Sequence, residues 1–150
     1  MKAYYACLDT GFVKYCPQPL QHLAIGDKAK KLDGDVSFYT MEDFETLATQ
    51  GTARGKIEEK PAVSGIIYFT VRQFFYGGSF DLKFMRFILD KGYEVHFARE
   101  DISIPTAESL DELFPMLYSA QHLLERDEPR DSWRPVWDWV ETHQHQESAS

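Results

Sequence analysis

Residues 3–40 read AYYACLDTGFVKYCPQPLQHLAIGDKAKKLDGDVSFYT, and the order of patterns within them decides the fold class. Residues 3–8 and 35–40 are short runs with the tyrosines, valine and phenylalanine of strands. Between them Leu20, Leu23, Ala24 and Lys28 recur at helical spacing as far as Leu32. Pro17 and Pro19 sit where a first helical turn tolerates proline, and Asp33-Gly34 stops the helix. A strand, a helix and a strand in so short a span imply parallel pairing through a right-handed crossover.

The alternation continues outward. Residues 65–71 and 93–98 are two further strand-like runs. Asp43 is placed to cap a short helix carrying Phe44, Leu47 and Ala48 that ends near Gly51. The polar stretch 52–64, with Gly55 and Pro61, reads as a mobile loop. Gly77-Gly78-Ser79 leads into a helix with Phe80, Phe84, Phe87 and Ile88, closed by Gly92. Past Pro105, Ser109 and Glu112 form an S-x-x-E capping box for a helix with Leu110, Leu113, Phe114, Leu117 and Leu124. Pro115 favours a start at Ser109 over one at Thr106, since proline is tolerated near the first turn. The expected architecture is α/β, a flavodoxin-like three-layer sandwich whose parallel sheet has at least four strands in the order 2-1-3-4, plus C-terminal helices. Residues 1–130 read as one α/β domain and residues 131–150 as a Trp-rich acidic helix and tail.

The chain of 150 residues carries a net charge of −8, unevenly spread: residues 1–100 hold 13 acids and 13 bases, residues 101–150 hold 11 acids and 3 bases. The lack of a Lys/Arg stripe argues against nucleic-acid binding. No apolar run approaches the length of a membrane span. The start, MKAYYACLDT, has too short an apolar stretch for a signal peptide, and Asp9 interrupts it. Cys7 and Cys16 cannot build a multi-bridge framework, and a reducing cytoplasm fits them. Cys7 reads as a buried hydrophobe; Cys16, in a loop, is the better nucleophile candidate but has no adjacent His or Lys to activate it. In the tail, Trp133, Val136, Trp137 and Val140 make an apolar stripe that either packs on the domain or serves as a homodimer or partner surface.

In an open parallel sheet, ligands sit outside the carboxyl ends of the strands where the winding reverses, here between the first and third strands. That rule selects loops 9–21 and 70–78. Polar groups gather at this edge: Asp9 and Thr10 after the first strand, Tyr39, Thr40 and Glu42 after the second, Thr70 and Arg72 after the third, His96, Arg99 and Glu100 after the fourth. Gln18, Gln21 and His22 open the first helix beside them. This mixture suits a polyhydroxylated ligand with one anionic group. Arginine grips carboxylate or phosphate bidentately, and Glu100, Asp9 or Glu42 can act as base or nucleophile. Arg72 and Arg99 can equally pair with Asp9 and Glu100 as a structural network. His143 and His145 lack a third ligand, so no metal site is expected. Gly77-Gly78 belongs to neither familiar phosphate-loop pattern, and no cofactor is implied.

The run PQPLQHLAIGD, residues 17–27, resembles the PQ-x-x-QN-x-x-I-R-D signature of a small family found sporadically in bacterial surface-carbohydrate gene clusters. The segment around Tyr39 and Glu42, the run GIIYFT with Thr70 where a serine is usual, and VHFAREDISI are similar to later segments of that family. The chain departs from it at His22 for Asn, at Gly26 for Arg and in residues 52–64. The resemblance spans residues 4–104 and carries over Gln18, Gln21, Glu42, Thr70, His96 and Glu100 as polar site positions. It implies work on a sugar or sugar intermediate of cell-surface glycans without naming a reaction. A more distant similarity, in strand order and in YACLDT, is to the resolvase-like catalytic domain of serine recombinases. Asp9 stands where their serine would be and Cys7 where an arginine is usual, which excludes recombination.

Three functions fit these readings. The first is a cytoplasmic enzyme of glycan-precursor metabolism acting on a sugar or sugar nucleotide, with Glu100 or Asp9 as base or nucleophile and Arg72 and Arg99 orienting the substrate. The second is an N-glycosidic-bond enzyme similar to nucleoside deoxyribosyltransferases, with Glu100 as nucleophile. The third is a non-catalytic sugar-binding or partner subunit that docks through its Trp-bearing tail.

Overall fold

Side chains that alternate between two apolar environments make the first strand the centre of the sheet. In β1 (Lys2–Leu8), Tyr4, Ala6 and Leu8 enter one hydrophobic cluster while Tyr5 and Cys7 enter another. Burial on both faces is what a strand inside a parallel sheet requires. β1 pairs in parallel with β2 (Gly34–Met41) and with β3 (Gly65–Tyr68), and β3 pairs in parallel with β4 (Glu94–Phe97). The structure is a computed structural model that describes residues 1–76 and 79–126, with side chains through residue 120. Its sheet has five strands in the order β2-β1-β3-β4-β5. The α/β class and the 2-1-3-4 order are therefore as expected, compatible with a flavodoxin-like layout. The added edge strand β5 (Ile102–Ile104) runs antiparallel to β4, with Ile102 and Ile104 buried on either side of half-buried Ser103.

Helix α1 (Gln18–Lys31) covers one face, setting Ile25 and Ala29 against Tyr4, Ala6, Leu8, Ile67 and Phe69. Helices α2 (Gly51–Glu58), α3 (Leu82–Asp90) and α4 (Ala107–Arg126) contribute to the other cluster, around Tyr5, Ile66, Tyr68, Val95 and Phe97. Gly92, with φ 90°, turns the chain from α3 into β4 as expected of a residue past a helix end. Among the described residues no helix is long and apolar enough to cross a membrane.

Three expectations are corrected. Residues 44–50 form turns, not a helix: Asp43 Oδ1 accepts the Thr46 N–H at 2.8 Å, and the chain reaches Gln50 at φ 53° before turning helical. The helix instead lies inside the stretch expected to be a mobile loop. The carboxylate of Glu42 accepts the N–H groups of Thr52 and Ala53, each at 2.8 Å, which caps α2, and Ala53 and Ile57 are buried. The last described helix starts at Ala107, not Ser109. Thr106 and Ser109 cap its start reciprocally, each backbone N–H donating to the other's hydroxyl at 3.1 and 3.2 Å. Together with burial of Leu110 and Leu117 this carries Pro115 inside the helix, although an interior proline costs about 3 kcal/mol. Gly77, Gly78, the side chains of His122 and Leu124, and the stripe from Trp133 to Val140 with His143 and His145 lie outside what is described.

Candidate functional site

Where β1 ends, Asp9 enters a 3₁₀ turn (Thr10–Phe12) and is fully buried. Its Oδ1 accepts the Gly11 N–H at 3.0 Å and also the Tyr76 hydroxyl, while Oδ2 is buried with no partner among the described residues. Burial pushes the Asp9 carboxyl up to about 6, partly offset by the Tyr76 hydrogen bond, the nearby charge of Arg72, the Gly11 N–H and the charge of Arg99. Gly11 makes the Tyr76 contact possible, because a Cβ there would run into the Tyr76 hydroxyl and ring.

Two arginines meet above the same turn. The guanidinium of Arg72 lies 5.3 Å from the Phe12 ring centre and 5.7 Å from that of Tyr76; the guanidinium of Arg99 lies 4.9 Å from the Phe12 ring. Both side chains are half-buried. Cations over an aromatic face are held by the ring quadrupole. Burial lowers the Arg99 pKa; the charges of Glu100 and Asp9 oppose this, while that of Arg72 adds to it. Two like charges placed over one buried ring, beside a carboxylate whose second oxygen has no partner among the described residues, are an arrangement that suits an anion next to a proton acceptor.

The floor is tied together by hydrogen bonds. Thr70 caps a second 3₁₀ turn (Val71–Phe74) and exchanges a capping box with Gln73. Gln73 also donates from its amide to the carbonyls of Cys7 and Leu8, both at 3.2 Å, locking the end of β3 to the end of β1. Glu100 accepts the Thr70 hydroxyl at 2.6 Å through one oxygen and the Val71 N–H at 3.0 Å through the other. Burial raises its pKa, while those two hydrogen bonds and Arg99 lower it. Both oxygens are thus engaged in holding the turn that presents Arg72.

Comparison with family models, curated proteins and solved structures finds no match. The site is read from its own geometry. Asp9, Thr70 and Arg72, in the loops that the switch-point rule selects, and Arg99 and Glu100, expected after the fourth strand, do gather at the carboxyl ends of β1, β3 and β4. The remaining candidates do other work. Gln21 is fully buried, with its oxygen accepting the Asp9 N–H at 2.8 Å and its amide donating to the carbonyls of Asp9 and Cys16 at 3.1 and 3.0 Å. It closes the loop behind Asp9 and has no group left for substrate. Gln18 donates to Met41 Sδ at 3.2 Å and His22 stacks on Tyr39 at 4.0 Å, a separate group where α1 begins beside β2. Glu42 caps α2 and also accepts the Thr46 hydroxyl at 2.8 Å, so its lone pairs serve the loop rather than a reaction. His96 lies within β4, bonded to Glu94 and Ser103, both at 2.8 Å, and edge-on to Tyr4 at 5.4 Å. That network is internal, on the strand and not at its carboxyl end. Cys16 is buried, its thiol pushed up to about 12 by desolvation, and Cys7 is raised as well, so neither is a nucleophile. Among the described residues no group of three or more His, Cys, Asp or Glu gathers to hold a metal.

Sequence reasoning missed Gly11, Phe12, Gln73 and Tyr76. The T-x-x-Q spacing of Thr70 and Gln73 is a capping-box signal that was there to be read. No local pattern marks Tyr76, which is defined by its contact with Asp9.

Proposed function

We propose that this protein is a cytoplasmic enzyme of bacterial surface-glycan precursor metabolism, built on a flavodoxin-like or resolvase-like sandwich, that acts on an anionic sugar or sugar nucleotide. The observation that supports it is the pair of guanidiniums over Phe12 beside the buried, half-satisfied Asp9. Arg72 and Arg99 bind the phosphate or carboxylate and fix the substrate's orientation. Asp9, near 6, exchanges protons readily around neutral pH and serves as the general base toward a sugar hydroxyl, with Tyr76 holding its other oxygen. Both Glu100 oxygens are occupied, which argues against the nucleoside-deoxyribosyltransferase reading, in which Glu100 is the nucleophile, and leaves Asp9 as the reactive carboxylate.

Thermal-shift titration with sugar phosphates, nucleotide sugars and the corresponding neutral sugars tests the proposal. The anionic compounds raise the melting temperature of the wild type, and Arg72→Ala or Arg99→Ala removes the response. An equal response to neutral sugars, or one that survives both substitutions, overturns it.

A further inference from the structure

A second concavity opens on the other side of the Val71–Phe74 turn, between the start of α2 and the start of α3. It encloses about 470 Å³ and is lined by Gln50, Gln73, Phe74, Phe80 and Asp81 among others. Gln50 is only 2% exposed, and neither its amide oxygen nor its amide nitrogen has a partner among the described residues. An amide buried in this way costs on the order of 1–3 kcal/mol unless something pairs with it. Its backbone is left-handed, at φ 53°, so the fold holds the side chain in place at a strained position. One wall is aromatic: Phe74 and Phe80 stack at 5.6 Å with an interplanar angle of 20°. Behind Phe74, edge-on at 4.8 Å, Tyr68 carries a hydroxyl that is also buried without a partner among the described residues. Of the other polar lining groups, Ser79 and Lys83 are exposed to solvent and the two less exposed ones are engaged. Gln73 is spent on the sheet end, and Asp81 caps α3 at 3.1 Å and meets Arg54 at 3.4 Å.

The buried, unpaired lining group among the described residues is therefore one planar donor–acceptor pair beside aromatic rings, in a volume within the range of small-molecule pockets. A primary amide of this kind pairs bidentately with a planar heterocycle that shows a donor next to an acceptor. We infer that the cleft between α2 and α3 binds a nucleobase, with Gln50 reading its donor–acceptor edge and Phe80 packing on its face. The ligand class is a nucleoside or the base of a nucleotide. The inference rests on Gln50 and the cleft, not on the arginines.

Calorimetry with uridine, cytidine, adenosine and guanosine, and with ribose as the base-free control, tests it. At least one nucleoside binds the wild-type chain while ribose does not. Gln50→Met, close in size but without the amide, weakens that binding at least tenfold, and the variant's melting temperature stays level or rises. The Arg72→Ala and Arg99→Ala variants bind the nucleoside as the wild type does, which separates this site from the anion site. Phe80→Leu, which keeps an apolar wall, weakens it too. Failure of every nucleoside to bind, binding indifferent to Gln50→Met, or a Gln50→Met variant that loses its fold because the amide is structural would each overturn the inference.

Discussion

Asp9 and Tyr76 lie 67 positions apart, and each sets the other's protonation. The Tyr76 hydroxyl stabilises the Asp9 carboxylate, while burial and the facing Asp9 charge raise the Tyr76 pKa. Removing the hydroxyl with Tyr76→Phe is expected to move the Asp9 titration midpoint upward from about 6, since a lowering influence is lost. Gly11→Ala is expected to move it in the same direction, because the new methyl displaces the Tyr76 ring. Carbon-detected NMR titration of the Asp9 carboxyl reads both, and a midpoint unmoved in Gly11→Ala would show that the glycine does not position Tyr76. The legible part of the site was the part fixed by chain topology. Asp9, Thr70, Arg72, Arg99 and Glu100 follow directly from strand ends, and the switch-point rule singles out the first three of them. Gln21, Glu42 and His96 share that neighbourhood and chemistry, but their hydrogen bonds are spent inside the fold. Residue type cannot separate a group that faces substrate from one that closes a loop.

Helix α2 is the element least visible in the sequence and most dependent on a single distant side chain. GTARGKIE holds two glycines and only one large apolar residue, so intrinsic propensity argues against it. Its first N–H groups are satisfied by Glu42, which leaves β2 and waits across the 44–50 turns. Glu42→Ala leaves these donors unpaired in a buried setting and is expected to cost about 2 kcal/mol, as for a hydrogen-bonded buried charge. Hydrogen exchange should quicken across residues 51–58 before the rest of the domain. Uniform loss of protection, or none, would contradict the capping role. The strands were legible because β1 and β3 carry continuous apolar runs, which a parallel interior strand requires. β5 escaped because three residues are too few for periodicity to register. Pro115 misled because the cap formed by Thr106 and Ser109, with burial of Leu110 and Leu117, outweighs one missing N–H.

Across the whole molecule the buried ionisable groups pull stability in opposite directions with pH. Asp9 titrates near 6 when folded and at its ordinary 3.8 when unfolded, so between these values the folded chain binds a proton that the unfolded chain has released. Its contribution therefore favours acid, falling as pH rises from about 4 to about 6 and remaining as a fixed penalty above. Glu100, raised by burial, acts in the same sense. His96 acts in the opposite sense. Burial lowers its pKa against the pull of Glu94, so its contribution is present above the ordinary 6.5 and is lost as the solution is acidified. Glu94, itself lowered by its hydrogen bonds to His96, Lys2 and Tyr4, loses stability in the same direction. A comparison of wild type with Asp9→Asn cancels every group but one. The two chains should have similar unfolding free energies at pH 4. Their gap should open between pH 4 and 6, and by pH 7 the neutral variant should be the more stable by about 3 kcal/mol. Urea midpoints at pH 4, 5, 6, 7 and 8 measure this, and a gap that is constant or closes toward neutral pH would show that Asp9 is not held against its charge. A wild type that keeps a destabilising carboxylate at neutral pH, where an amide of the same shape would be more stable, holds it for a reason other than stability. At this sheet edge the reason we propose is the proton chemistry beside two arginines.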